Sequence, residues 1–174
     1  ADGGWRDALR AKYRGGGDDL LVGLAWNSMN TEMGTRKSLP LAAYAPLTEI
    51  TGIRFIDLQY GDTAGEREAF ETETGVEVFH DPDIDQLQDL DAFAAQVAAM
   101  DLLVSVSTTA VHFAGALGVP AWVLLNTVPR TCWMREGETS HLYSSVRLYR
   151  QRQAGEWVDV VDAVKEDLSG FKPG

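Results

Sequence analysis

The sequence is short of positive charge, of cysteine and of long apolar runs. Its 174 residues include 15 Lys or Arg against 26 Asp or Glu, a formal charge of −11. A general nucleic-acid or anionic-membrane binder needs a basic footprint, so both classes are excluded; an anion site built from local donors is not. A single cysteine, Cys132, rules out an internal disulfide. The longest apolar stretch, 114–125, is broken by glycines and Pro120 and falls short of the ~20 residues a membrane span needs. The three histidines, His80, His112 and His141, are far apart with no neighbouring Cys or His, so metal-ligand spacing is missing. No Gly-x-Gly-x-x-Gly follows the first apolar run, which argues against a dinucleotide dehydrogenase. A Walker sequence and a Gly-x-Ser-x-Gly elbow are missing as well, which argues against P-loop ATPases and serine hydrolases.

What is present reads as a globular chain. Hydrophobic residues make up 45%, enough for a real core in a single domain of this length. Residues 5–13 predict a short helix with Trp5, Leu9 and Tyr13 on one face, and Gly15-Gly16-Gly17 breaks it. The chain therefore divides into an N-terminal helix with a Gly-rich linker, 1–17, and a main domain, 18–174. Strand and helix signals then alternate. Strands are expected at 20–26, 53–58, 76–79, 102–106, 121–125 and, weakly, 146–149. Helices are expected at 41–50, where Pro46 is awkward, at 62–72, at 87–100 with Asp89 as N-cap, after Ser107 or Thr108, and from Trp157 onward. Residues 126–142 predict a long loop. The acidic run Asp81, Asp83, Asp85, Asp89 and Asp91 suits capping and solubility, and 59–62 a turn. Alternation of this kind means an α/β domain, and six strands imply a doubly wound, mostly parallel, Rossmann-like sheet in the order 3-2-1-4-5-6. In that topology ligands bind beyond the carboxyl ends of strands one and four.

Those two strand ends carry polar loops. After strand four, Ser107, Thr108 and Thr109 stand where a buried strand meets a helix N-terminus, a place that attracts phosphate through free N–H groups and the helix dipole. Capping is the plainer use of the same hydroxyls. His112, one turn further, is either packed or ligand-facing. After strand one, Asn27, Ser28 and Asn30 can hydrogen-bond a sugar or phosphate, and Arg36 or Lys37 supplies positive charge. Trp133 and Tyr143 suit stacking on a base or sugar, or anchoring to a further domain.

Several segments resemble the C-terminal part of bacterial tetratricopeptide-repeat glycosyltransferase-like proteins. They are Val22-Gly23-Leu24-Ala25-Trp26, Arg36-Lys37-Ser38-Leu39-Pro40-Leu41, the stretch 55–62, the stretch 107–125, Arg147-Leu148-Tyr149-Arg150-Gln151 and Trp157. That group is similar to glycosyltransferase family 9, the heptosyltransferases, and to the O-linked N-acetylglucosamine transferases. The resemblance implies the C-terminal, nucleotide-sugar-binding half of a GT-B fold. The family-9 pattern Asp-Thr-x-x-x-His is met by Thr108 and His112, with Ser107 in place of the Asp. Thr108 and Thr109 match the diphosphate-holding threonines of the O-linked enzymes, and His112 falls at a ribose-facing position. Lys37, three residues before Pro40, matches the phosphate-facing lysine. Ser140-His141-Leu142-Tyr143 stands where the relatives carry Ser-Pro-Trp-Tyr.

The resemblance implies an inverting, metal-independent transferase with no cofactor beyond its nucleotide-diphosphate-sugar donor. Its catalytic base would come from an N-terminal half outside this sequence, so the domain by itself would be inactive. That half and tetratricopeptide repeats are the expected partners, in a bacterial, cytoplasmic protein. Separated from them, an apolar face around Trp133 and Tyr143 is expected to promote self-association. Two other readings compete: a non-catalytic GT-B-like interaction module, and a domain like the nucleotide-sugar epimerases.

Overall fold

The computed structural model describes residues 3–28 and 34–173. Its centre is one sheet of six parallel strands in the order β3-β2-β1-β4-β5-β6. The strands are β1 (Leu20–Ala25), β2 (Ile53–Asp57), β3 (Val78–Phe79), β4 (Leu102–Val106), β5 (Ala121–Leu125) and β6 (Val146–Arg150). The helices are α1 (Gly3–Arg14), α2 (Gly34–Lys37), α3 (Ala64–Thr74), α4 (Leu90–Ala98), α5 (Thr109–Leu117) and α6 (Val158–Ser169). The order reverses between β1 and β4, as the alternation of elements predicts.

Both faces of the sheet are covered, so the central strands are apolar throughout rather than alternating. One core joins Leu9, Tyr13, Leu21, Ile56, Phe93, Val97, Leu103, Val111 and Val123; the other joins Val22, Leu24, Trp26, Leu41, Phe55, Phe70, Val104, Leu124, Val161 and Val164. Gly23 sits where the first core is tightest. A Cβ there would lie 2.3 Å from Leu58 Cδ1 and 3.2 Å from Met100 Cγ, so β1 can approach those side chains only as glycine.

α1 is packed into the first core through Leu9 and Tyr13, while Trp5 stays 38% exposed. Buried acids hold it there. Arg10 and Arg14 reach the carboxylate of Asp101, which also accepts from the Leu21 amide at 2.9 Å. Lys12 and Tyr13 donate to Asp81 at 2.7 and 2.8 Å. Much of the predicted acidic run is thus structural: Asp81 anchors α1, Asp85 accepts from the Leu87 and Gln88 amides, and Asp89 caps α4 through the Ala92 amide.

Three local expectations are corrected. Residues Leu41–Glu49 form a 3-10 rather than an α-helix; Pro46 inside it lacks an N–H and cannot carry the regular ladder. Leu87 lies outside α4, which starts at Leu90, and both leucines are exposed. The 126–142 loop is partly ordered by a 3-10 turn at Thr131–Trp133 and by antiparallel pairing of Thr139 with Arg147 on β6.

Candidate functional site

The carboxyl ends of β1, β4 and β5 meet at the topological reversal, and the predicted polar residues gather around it unequally. Lys37, last in α2, is 8% exposed and donates from Nζ to the Ser107 carbonyl at 3.0 Å. A cavity of about 100 Å³ opens beside this contact, lined by Lys37, Ser107, Leu125, Asn126, Val128, Pro129 and Arg130. Burial, with the Arg130 guanidinium nearby, pushes the Lys37 ammonium below its ordinary range. No carboxylate pairs with Lys37 or Arg130 among the described residues. Two cations, buried Lys37 and exposed Arg130, thus face one small cavity in a chain of charge −11 whose buried carboxylates Asp57, Asp81 and Asp101 are paired with cations.

The α5 junction supplies donors beside them. Thr108 occupies the N-cap position, yet its side chain makes no cap hydrogen bond. Its hydroxyl is paired with Ser105 Oγ at 3.0 Å instead, which leaves the first amides of α5 without a side-chain acceptor. Thr109, the first residue of α5, is exposed. Ser107 Oγ accepts from Trp133 Nε1 at 2.8 Å, so its own proton remains to be donated. His112 lies against the same indole, with ring centroids 5.3 Å apart and planes 19° from parallel, and its Nδ1 is 3.2 Å from Tyr143 Oη. Burial, again with Arg130 nearby, pushes His112 below its usual value, so near neutral pH the ring is uncharged.

Lys37, Ser107 and His112 are therefore linked through direct contacts and Trp133, with Thr108 bonded to Ser105 beside them. Asn27 and Ser28 are tied together instead by Ser38: its Oγ donates to Asn27 Oδ1 and accepts from the Ser28 amide, each at 2.9 Å. Arg36 is exposed on α2 and does not line the cavity. Asn30 lies outside the described residues.

Trp133 and Tyr143 do not themselves supply the expected apolar face, although Val128, Met134 and Leu142 in the same loop are exposed. Trp133 is 1% exposed, stacked and hydrogen-bonded inside the site. Tyr143 is partly buried against Gly115, where a Cβ would stand 2.3 Å from Tyr143 Cγ. Gly115 therefore serves the loop, while Ala114 faces the core.

Some site residues escape sequence reasoning. Arg130 and Asn126 sit in a loop with no motif, and only the fold brings them to Lys37. Gln59 Oε1 accepts from the Trp26 and Asn27 amides at 3.0 and 2.8 Å, shaping the loop after β1. Buried Asp57 gathers Thr63, Arg67 and His80 at the end of β2. Arg150 donates to the carbonyls of Trp133, Met134, Glu136 and Gly137 at 2.6, 3.2, 3.3 and 2.8 Å. Within that span Met134 has φ 56° and ψ 177°, a region almost reserved for glycine and costing about 1–3 kcal/mol.

No protein-family model matches the chain. A curated protein, FlbA of Caulobacter vibrioides, is 35% identical over 153 residues, covering 86% of this chain and 25% of FlbA. The chain thus spans a quarter of that relative's length. Among solved structures, the E. coli ADP-heptose LPS heptosyltransferase II superposes with TM-score 0.73 at 16% identity, over 98% of this chain and 51% of that one. A glycosyltransferase family 9 structure from Veillonella parvula gives TM-score 0.64 at 15% identity, over 98% and 45%. The two likenesses show one thing in common: this chain has the Rossmann-like α/β fold found within GT-B glycosyltransferases, and it spans about half of each.

Proposed function

We propose that this chain is the donor-binding half of an inverting, metal-independent glycosyltransferase and holds the diphosphate of a nucleotide sugar at the Lys37–α5 junction. The observation that carries the reading is the buried Lys37 ammonium with the exposed Arg130 guanidinium beside it, neither paired with a carboxylate among the described residues, at one cavity at the switch point. A buried ammonium without an anion is costly, and a phosphate oxygen supplies the missing partner. The free amides of α5 and the Ser107 and Thr109 hydroxyls add donors. The cavity, about 100 Å³, accommodates a phosphate group, whereas whole small-molecule sites run to ~300–1,000 Å³. The sugar and the acceptor therefore need walls contributed from elsewhere in a larger protein, which agrees with a chain that spans half of its structural neighbours.

In the transfer, an acceptor oxygen attacks the anomeric carbon as the bond to the diphosphate breaks. The electron pair leaves on the phosphate oxygen, and the acceptor proton goes to a base. Charge grows on the diphosphate, where Lys37, Arg130 and the α5 amides are fixed in advance. His112, neutral and held by Trp133 and Tyr143, suits a ribose hydroxyl rather than phosphate charge.

Calorimetric titration with UDP, GDP and ADP, each beside its nucleoside, tests the proposal. One diphosphate should bind with a clear advantage over its nucleoside. Failure of all three would favour the non-catalytic module, for which Ser107 in place of the family-9 Asp is the supporting feature.

A further inference from the structure

Among the described residues the guanidinium at the end of β6 pairs with no carboxylate; it is spent on backbone. Arg150 reaches four carbonyls of one short turn, those of Trp133, Met134, Glu136 and Gly137. Nothing in the turn repays its strained residue: Met134 is 50% exposed and its side chain is not buried in either core. A non-glycine residue holds φ 56° only if its surroundings over-determine it, and Arg150 is the group that does so. What the turn delivers lies on its other side. The Trp133 amide donates to the Arg130 carbonyl at 2.9 Å, so Arg130 and Trp133 move as one turn. Trp133 in turn lies between Ser107 Oγ and the His112 ring.

We infer that Arg150 is a positioning residue for the anion site: by clamping the 133–137 carbonyls it holds Trp133 against Ser107 and His112 and keeps Arg130 beside Lys37. The inference rests on the donor-binding reading for its consequence, but its geometric content is independent of any ligand. Arg150 never touches the ligand in this account. A lysine cannot replace it, because one ammonium on a flexible stem cannot address four carbonyls in a plane-directed fan. Glycine at 134 removes the need for part of the clamp, because it adopts this backbone region freely.

The test is proton NMR of the histidine rings in the intact chain, with His112 assigned from the spectrum of His112→Gln. A parallel indole shifts the His112 ring protons upfield of those of exposed His141. Arg150→Ala should collapse that shift and weaken the preferred nucleoside diphosphate by at least about tenfold, the equivalent of one charged hydrogen bond. Arg150→Lys should behave like the alanine variant, and it carries the same test if Arg150→Ala does not fold. Adding Met134→Gly to Arg150→Ala should restore part of the ring shift, which a general loss of stability would not allow. Unchanged His112 resonances in both folded Arg150 variants would overturn the inference. Loss of the shift with no nucleotide binding even by the unaltered chain would sink the donor-binding reading and leave the clamp intact.

Discussion

Replacing Lys37 by methionine separates a ligand-facing lysine from a structural one. Met keeps an unbranched chain of similar length in a place that is 8% exposed, so packing is nearly preserved. Two effects on stability oppose each other. The Ser107 carbonyl loses a donor at 3.0 Å, while a buried charge close to Arg130 is removed. A net change within about 1 kcal/mol follows, and so a Tm within about 4 °C of the parent. Binding has no such compensation: losing one charged hydrogen bond to phosphate costs about 1.5–3 kcal/mol, or roughly 10- to 150-fold in affinity. Nucleoside affinity should not move.

The pH dependence adds a sign. Burial lowers the Lys37 pKa, so the unfolded chain binds more protons than the folded one in the window between the folded value and the ordinary lysine value near ~10.4. Stability of the parent relative to Lys37→Met should therefore rise as pH rises through that window and be smallest at neutral pH. Thermal melts across pH, together with calorimetry for a nucleoside and its diphosphate, read both. A variant that melts far below the parent yet binds diphosphate normally would refute the argument and make Lys37 a strut for β4.

Thr109→Val should weaken diphosphate binding several-fold without moving Tm, because that hydroxyl is exposed; Thr108→Val should instead cost about 1 kcal/mol of stability by removing its hydrogen bond to buried Ser105, whose own proton stays on the Val106 carbonyl. Melts and titrations of the two variants separate these roles. Gly115→Ala forces a methyl onto the Tyr143 ring and should destabilise by about 1–3 kcal/mol while breaking the Tyr143–His112 contact, seen in the same histidine spectra. For Asp81, burial pushes the carboxyl up, but Lys12 and Tyr13 prevail and hold it below its ordinary value. Its contribution is thus present above the ordinary Asp range and lost as pH falls through the folded value, and Tyr13→Phe should remove about 1–2 kcal/mol of it, measured by denaturant melts at neutral and acid pH.

The sheet was legible because each central strand is a short apolar run bounded by turn residues, and parallel order follows from the intervening helices. Asp89 as a cap and the reversal between β1 and β4 came from the same local signals. Pro46 marked a difficulty at 41–50, but whether a proline bends a helix or converts it to 3-10 geometry is decided by neighbours. The candidate site was legible where a loop follows a strand directly, as at Ser107 and Thr108; Lys37 was set apart from Arg36 only by the family resemblance. Arg130 and Trp133 were not legible, because residues 126–142 have no periodicity, and nothing local in the sequence announces that Arg150 on β6 donates to the 133–137 carbonyls. An exposed face was expected at Trp133 for the same reason. Its indole N–H has a partner in Ser107, and nothing in the sequence pairs the two residues.

The net charge of −11 and a phosphate site conflict only if charge is counted over the whole molecule. The buried carboxylates nearest the core are committed: Asp101 to Arg10 and Arg14, Asp81 to Lys12, and Asp57 to Arg67. Exposed acids such as Asp83, Glu138 and Asp159 face solvent, where a Debye length of ~8 Å at physiological salt limits their reach. Lys37 is shielded from that solvent and from those ions. Salt should therefore lower the long-range repulsion that slows an anion's approach more than it lowers the attraction inside the cavity. A basic nucleic-acid binder loses affinity steeply as salt rises because binding frees counterions condensed on the nucleic acid. A nucleoside diphosphate carries no such condensed layer, so its affinity for this chain should fall only shallowly with salt while association quickens. Stopped-flow titration of a fluorescent nucleoside diphosphate at low and high salt distinguishes the two regimes, and a steep loss of affinity would place the binding charge on the surface rather than at Lys37.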